Sequence, residues 1–249
     1  MNETIETILE HRSIRSFKDE PLTNEQVHTL VKAAQAASTS SYIQAYSIIG
    51  VKDQEKKKKL AQLAGNQSYV EKNGHFFVFC ADYNRHHAAA EMHGTSVKET
   101  TESTEKFMVG LIDAALAAQN ASIAAESMGL GICYIGGIRN DLEEVSDVLQ
   151  LPDYVVPLFG LCVGYPAQDP NIKPRLPLEN IYHVDEYEQN PDAFKEGLRK
   201  YDETISAYYS DRTSGERTVG WSSLMAHKLT KPVRTYMKKF LKKKGFPLN

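Results

Sequence analysis

The stretch from Thr104 to Met128 is rich in alanine and carries apolar side chains on more than one face, among them Met108, Leu111, Ile112, Ala115, Leu116, Ile123 and Met128. Alanine is the strongest helix former, and apolar positions at intervals of three and four residues are what a helix presents to a neighbour. The spacing predicts one long helix, closed by Gly129 and Gly131. A helix apolar almost all round has no solvated side, so it belongs in the middle of a protein or in a subunit interface. Everything else in the chain has to be arranged around it. Asp113, Gln119, Asn120 and Glu126 interrupt the run, whereas a membrane span needs about 20 residues nearly free of such groups, so no segment is expected to cross a bilayer. Glu3, Glu6, Glu10, His11, Arg12 and Arg15 leave no apolar stretch of signal-peptide length at the start, and the cytoplasm is the expected compartment.

The rest of the chain alternates helical and strand-like segments. Ile5, Ile8 and Leu9 share one face of a short first helix that runs into the polar residues 11–15. Thr23 and Gln26 form a capping box ahead of Val27, Leu30, Val31 and Ala34. Ala45 to Val51 is read as a strand, Asp53 as the cap of a lysine-rich helix over 54–63, and Phe76 to Ala81 as a buried strand. Residues 84–103 are polar and irregular and are read as a loop. After the long helix come a strand from Ile132 to Ile135, a Gly136-Gly137 turn, a helix from Asp141 with Glu144 as capping partner, and a strand from Val155 to Val163. A proline-rich loop over 166–185 leads into a helical, increasingly basic remainder. With no repeat and no linker, residues 1–249 are expected to form one domain, about 185–249 being a C-terminal extension. Cys80, Cys133 and Cys162 lie in apolar runs without a CxxC and are expected as reduced core thiols.

The net charge of −3 hides a split, because residues 212–249 hold ten Lys/Arg against the single acid Glu216. Such a tail suits an anionic ligand or nucleic acid, or it is a packed helix with its lysines in water. Familiar catalytic motifs are absent. Gly129-Leu130-Gly131 opens like a dinucleotide fingerprint, but position 134 is Tyr and the segment follows a helix instead of a strand. His86, His87 and His93 lie near Glu91 without a zinc-like spacing; they are read as solvated loop histidines, and no metal site is assigned.

What the sequence does carry is a series of anion-binding and polar groups. His11, Arg12, Ser13 and Arg15 follow the first helix, and arginine offers a planar fork matched to phosphate oxygens. Lys173-Pro174-Arg175 puts two cations around a residue of fixed φ. Ser38-Thr39-Ser40-Ser41 with Gln44 offers small hydroxyls beside an amide, suited to ribityl or pyrimidine-like groups or to a simple capping turn.

In chain order, His11-Arg12-Ser13-Ile14-Arg15-Ser16-Phe17, Ala37 to Gln44, Gly65-Asn66-Gln67, Tyr134-Ile135-Gly136-Gly137-Ile138-Arg139-Asn140 and Lys173-Pro174-Arg175-Leu176-Pro177 resemble the nitroreductase superfamily, and within it the NADPH-linked flavin reductase and oxygen-insensitive nitroreductase A subgroup. The resemblance implies an α+β fold: a mixed, mostly antiparallel sheet flanked by helices, in an FMN-containing homodimer whose C-terminal excursion wraps the partner subunit. It implies that His11, Arg12, Ser13, Lys173 and Arg175, with Ile14 and Pro174 between them, hold the phosphate and ribityl end of FMN. Arg15, Thr39 or Ser40, Gln67 and the run Tyr134, Ile135, Gly136, Gly137 would face the isoalloxazine. Arg212 and Arg217 match positions that meet the 2′-phosphate of NADPH, and Arg234, with Ser41, the substrate mouth. Glu216 and Thr218 interrupt the basic pattern there, which would relax the preference and admit NADH.

The implied activity is that of an NAD(P)H-dependent FMN reductase or nitroreductase working by a ping-pong route: hydride from NADPH to flavin N5, then two electrons to free FMN, a nitroaromatic or a quinone. No catalytic base is nominated, since the cofactors carry the chemistry. The resemblance gives no place to nucleic acid or a membrane. The competing reading is a nucleic-acid or anionic-polymer binding protein using residues 212–249, supported by the charge split alone.

Overall fold

The computed structural model describes residues 1–248, and its contacts divide into two units: residues 1–170 with the tail from Arg234, and residues 171–233. In chain order the helices are α1 (Glu3–Leu9), α2 (Asn24–Gln35), α3 (Gln54–Leu63), α4 (Ser68–Glu71), α5 (Asn84–Met92), α6 (Lys98–Thr101), α7 (Thr104–Ser127), α8 (Leu142–Leu149), α9 (Pro191–Arg212), α10 (Trp221–Lys228) and α11 (Met237–Lys243). The strands are β1 (Tyr46–Val51), β2 (His75–Asp82), β3 (Gly131–Ile135) and β4 (Val155–Gly164).

In the first unit the strands form one antiparallel sheet in the order β1-β2-β4-β3. Its two faces carry separate cores. Phe77, Phe79, Ile132 and Leu161 pack with Leu30 of α2 and with Ala114, Ala117, Ala118 and Ala121 of α7. Phe76, Val78, Cys80, Cys133 and Cys162 pack with Leu60 of α3 and Val145 of α8. Alternate strand residues point to opposite faces, which is why both cores are read from the same strands. All three cysteines are buried and free.

The local signals act as the sequence implies. Thr23 and Gln26 close a reciprocal capping box on α2, Asp53 accepts from the Lys56 N–H, Ser103 caps α7, and Asp141 accepts from the Glu144 N–H. Gly129, with φ +73°, ends α7 in the left-handed region that glycine tolerates. Gly131 plays a different part from the helix stop expected of it: it is already in β3, where Ile14 lies so close that a Cβ would sit 2.6 Å from Ile14 Cγ1.

Residues 84–103 correct the expected loop, forming α5 and α6. Ala88, Ala89 and Ala90 supply helix propensity, and Gly94 with φ +62° follows the end of α5. His86 and His87 are accordingly helical and half-buried instead of solvated. His86 Nε2 lies 2.8 Å from the Ile43 carbonyl, and His87 stacks on Tyr154 with centroids 3.7 Å apart. Helix α7 is long and apolar enough for a membrane span by length and composition. Its alanine face is buried in the sheet core, whereas Met108, Leu111, Ile112 and Leu116 are exposed.

The basic tail is also more structural than its charge suggests. Phe240, Leu241 and Phe246 join the first core, and Lys244, expected among the solvated lysines, is buried with Nζ donating to the Leu151 and Pro152 carbonyls. In the second unit, α9 and α10 pair through Asp202, which accepts from the Ser222 N–H at 2.8 Å and from its hydroxyl, and Trp221 packs edge-on against Tyr201.

Candidate functional site

Residues 11–15 are fixed by the edge of the sheet. Ser13 pairs with Ile132 in the sheet's one parallel bridge among the described residues, and the Ile14 N–H donates to the Ile132 carbonyl at 2.8 Å. Ile14 is buried, so alternation turns its neighbours Ser13 and Arg15 outward. His11 Nδ1 meets Glu126 Oε1 at 2.6 Å, and Arg12 pairs with Asp169 at 2.8 Å. Arg12, Glu10, Glu126 and Asp169 line a cavity of about 570 Å³ with the backbone of residues 129–131.

A second group forms where β3 runs into the short 3₁₀ turn 136–140. Pro157 in β4 has no N–H to give, and the ladder shifts register there, leaving Leu158 opposite no partner. The Leu158 carbonyl instead accepts from Arg139 Nη1 at 2.6 Å, which anchors the turn to the sheet. Gly137 lies flush against the Ala64 carbonyl and Gln67, closer than any Cβ allows. Gln67 Nε2 donates to the Ala64 carbonyl at 2.7 Å, and its Oε1 accepts from the Tyr69 hydroxyl at 2.7 Å. Tyr69 lies near Arg15; its pKa is raised, burial outweighing the nearby guanidinium. Arg234 donates twice to Asn140 Oδ1, at 3.2 and 3.0 Å. Gln67, Gly136 and Gly137 are thus brought together with Arg234 at the end of the turn, and Tyr69, which sequence reasoning missed, bonds Gln67 and lies near Arg15. A Tyr two residues after Gln67 is its only signal in the sequence.

Tyr134 turns its ring towards α7, accepting from the Ser122 hydroxyl at 2.9 Å and packing edge-on against Phe159. Ile14 and Ile135 are buried side chains, so only their backbone is open to a ligand.

The third group is the loop 38–44. Ser41, Tyr42 and Gln44 have φ of 47°, 60° and 55°, unusual for residues with a Cβ. What holds them is Asp113, a carboxylate with no exposed surface in the middle of α7, which accepts from the Ser40 and Ala45 N–H groups at 3.0 Å each. His86 secures the Ile43 carbonyl from the other side. Thr39 is extended and half-buried, Ser40 and Ser41 exposed. No hydrogen bond or ion pair, among the described residues, joins this loop to residues 11–15 or to Gln67 and the turn 136–140. Asp113 was visible in the sequence as an acid inside an alanine helix, the kind of residue that needs a buried partner.

In the second unit, Lys173, Arg175, Arg212 and Arg217 have no carboxylate partner among the described residues. The Pro174 carbonyl accepts from Tyr201, fixing the middle of Lys173-Pro174-Arg175. Arg217 stacks on Tyr209 with Cζ 3.8 Å from the ring centroid, and Arg212 donates to the Tyr208 hydroxyl at 3.1 Å. Tyr209 has its pKa lowered, first by the Lys173 ammonium at its hydroxyl and then by Arg217 and Arg212. Among the described residues no His/Cys/Asp/Glu cluster suits a metal ion.

Residues 8–165 match the nitroreductase family and residues 173–249 match its C-terminal domain. The chain is 62% identical over 249 residues to the FMN reductase (NADPH) of Bacillus subtilis strain 168, each covering 100% of the other. It superimposes on B. megaterium NfrA1 with a TM-score of 0.97 at 62% identity, covering 99% of this chain and 100% of that one. The NADPH:FMN oxidoreductase from Vibrio harveyi, solved in complex with NAD+, matches with a TM-score of 0.89 at 42% identity over 100% of both. With both family regions matched in order and relatives aligned end to end, the chain belongs to the nitroreductase family.

Proposed function

We propose that this chain is an NADPH-dependent oxidoreductase that holds FMN and reduces free flavin, nitroaromatics or quinones. The observation that carries this is the meeting of Arg15, Gln67 and the Gly136-Gly137 turn: a permanent cation, a neutral amide and open backbone in one place. A flavin ring needs those three things, a cation where negative charge develops on reduction, polar groups for its pyrimidine edge, and no side chain against its face. The likeness to an FMN reductase (NADPH) over the whole chain supports the same reading. Bound FMN would supply two-electron chemistry, with NADPH and the acceptor taking turns in one pocket.

The chain's own residues do the holding. On the resemblance, His11, Arg12, Ser13, Lys173 and Arg175 are assigned to the phosphate and ribityl end, Arg212 and Arg217 to the donor's 2′-phosphate, and Arg234, beside Asn140, to the acceptor. Their donor chemistry fits: cations for a dianion, a hydroxyl for ribityl oxygens. Thr39 or Ser40 is assigned to the ring of a second copy of the chain, and Ser41 to the substrate mouth. Two features support that homodimer: the loop is fastened to α7, and the same helix exposes Met108, Leu111, Ile112 and Leu116 as an unburied apolar stripe.

Purified protein should be yellow, bleach on NADPH without air, and recover its colour on addition of FMN or nitrofurazone. Colourless protein that takes up no stoichiometric FMN would sink the proposal, and a steep fall of DNA affinity with salt would favour the nucleic-acid reading of the tail.

A further inference from the structure

The second unit holds an arrangement that neither the fold nor the donor assignment explains. Helix α9 ends at Arg212, and the chain reverses through Ser214 and Gly215, with φ of 50° and 87°. The reversal is fastened by the Gly215 N–H to the Ser210 carbonyl at 2.8 Å, and by the Arg217 N–H to Thr213 Oγ1 at 2.9 Å, whose own hydroxyl donates to the Tyr209 carbonyl at 2.7 Å. Arg217 is therefore carried back over the last turn of α9 and laid on the Tyr209 ring, 3.8 Å from its centroid. Lys173 Nζ stands over the same ring, 5.3 Å from its centroid. Tyr208 packs edge-on against Tyr209 and takes the Arg212 hydrogen bond.

Two cations stand over one ring, a third holds the neighbouring Tyr208, and none of the three has a carboxylate partner among the described residues. Their mutual repulsion is offset only in part by the negative face of the ring. A guanidinium stacked face-on keeps its in-plane N–H groups free, so it is held without being used up, which is the state that recognises a phosphate in a bidentate way. An ammonium over the ring likewise keeps N–H groups for a ligand.

Resting on the NADPH and FMN assignments above, we propose that Tyr209 is a positioning residue for two phosphates at once: its ring orients Arg217 for the 2′-phosphate of the donor and Lys173 for the phosphate of the cofactor. The ring does the holding, so an aromatic replacement should rescue both roles and an aliphatic one should lose both. Tyr209→Phe keeps a ring under both cations. Tyr209→Leu removes it.

The experiment measures two quantities on the FMN-loaded protein. Calorimetry compares 2′,5′-ADP with 5′-AMP as probes that differ in the 2′-phosphate, and dialysis followed by flavin fluorescence measures FMN release. Wild type should prefer 2′,5′-ADP by about tenfold or more, the scale of a charge-assisted contact. Tyr209→Leu should lose most of that preference and release FMN several-fold faster. Tyr209→Phe should keep both the preference and the wild-type rate of FMN release, a rescue that depends on the ring. If wild type shows the preference and Tyr209→Leu keeps it, the stack plays no part and the proposal fails while the donor assignment stands. If Tyr209→Phe loses the preference or releases FMN as fast as the leucine variant, the ring is not what holds the cations and the proposal fails. If wild type shows no preference for the 2′-phosphate, the donor assignment falls and takes this proposal with it.

Discussion

The turn 136–140 and the Lys173–Tyr209–Arg217 cluster solve opposite problems. At the turn each polar side chain is held: Arg139 on the Leu158 carbonyl, Gln67 between Ala64 and Tyr69, Asn140 between Leu63 and Arg234. Its shape is built before any ligand arrives, and it is limited by sterics. The cluster is half-exposed and rich in unpaired cations, so it is limited by charge. Geometry near a reacting ring has to be rigid to a fraction of an ångström, whereas phosphate ends need attraction more than shape. The two regions should therefore fail differently.

Acid should have the largest effect, and it falls on the sheet that carries the turn. His75 is buried in β2 against Phe77 with its Nε2 unpartnered among the described residues, and burial lowers its pKa from 6.5 to about 4. The folded state keeps the ring neutral while the unfolded chain protonates it, so stability is intact above pH 6.5 and falls as pH drops towards 4. The loss should approach about 3 kcal/mol. Urea midpoints measured from pH 7 to 4 should show the slope, and His75→Leu should flatten it. An unchanged slope in that variant would assign the loss elsewhere.

Steric failure comes next. Gly137→Ala drives a methyl into the Ala64 carbonyl and 2.9 Å from Gln67 Nε2, a backbone contact that cannot give way cheaply. A cost of about 2 kcal/mol and largely colourless protein are expected. Gly136→Ala meets the Arg139 guanidinium at 3.3 Å, the far end of a flexible side chain, and should cost the fold much less. Equal behaviour of the two variants would deny that this turn is built by close approach. Asp113→Asn is a gentler break, leaving one of the Ser40 and Ala45 N–H groups facing a donor and costing about 1–2 kcal/mol. If the loop serves a second copy's cofactor, FMN retention should fall further than thermal stability does.

How much of this was legible follows the same divide. Features carried by a residue type at a fixed spacing were readable: the capping residues Thr23, Asp53 and Asp141, the cores of β2 and β4, and the long helix α7. The cationic positions were readable too, because an arginine or lysine announces its chemistry by itself. The partners were not. Nothing local says that Asp113 reaches back to Ser40, that Ile14 sits on Gly131, or that Tyr69 turns its hydroxyl to Gln67; each is a tertiary contact between segments far apart in the chain or a side-chain direction. Residues 84–103 were misread because a polar face hid an alanine helix whose histidines are held by Ile43 and Tyr154.

The smallest effect tests the charged region alone. Arg212 is exposed and, among the described residues, its side chain hydrogen bonds only to the Tyr208 hydroxyl, so Arg212→Ala opens no cavity and orphans no buried group, and stability should stay within about 0.5 kcal/mol of wild type. Its loss should instead raise the KM for NADPH roughly tenfold, the scale of one charge-assisted contact, and leave the KM for NADH within about twofold, since NADH has a hydroxyl where NADPH has a phosphate. Raising the salt concentration should weaken NADPH in the wild type and do so less in the variant, because part of what salt screens is already gone. Equal losses with both donors would mean that Arg212 supports the shape of α9 or the pyrophosphate and not the 2′-phosphate, and the contrast between a region limited by sterics and one limited by charge would then have to be redrawn around Arg217 and Lys173.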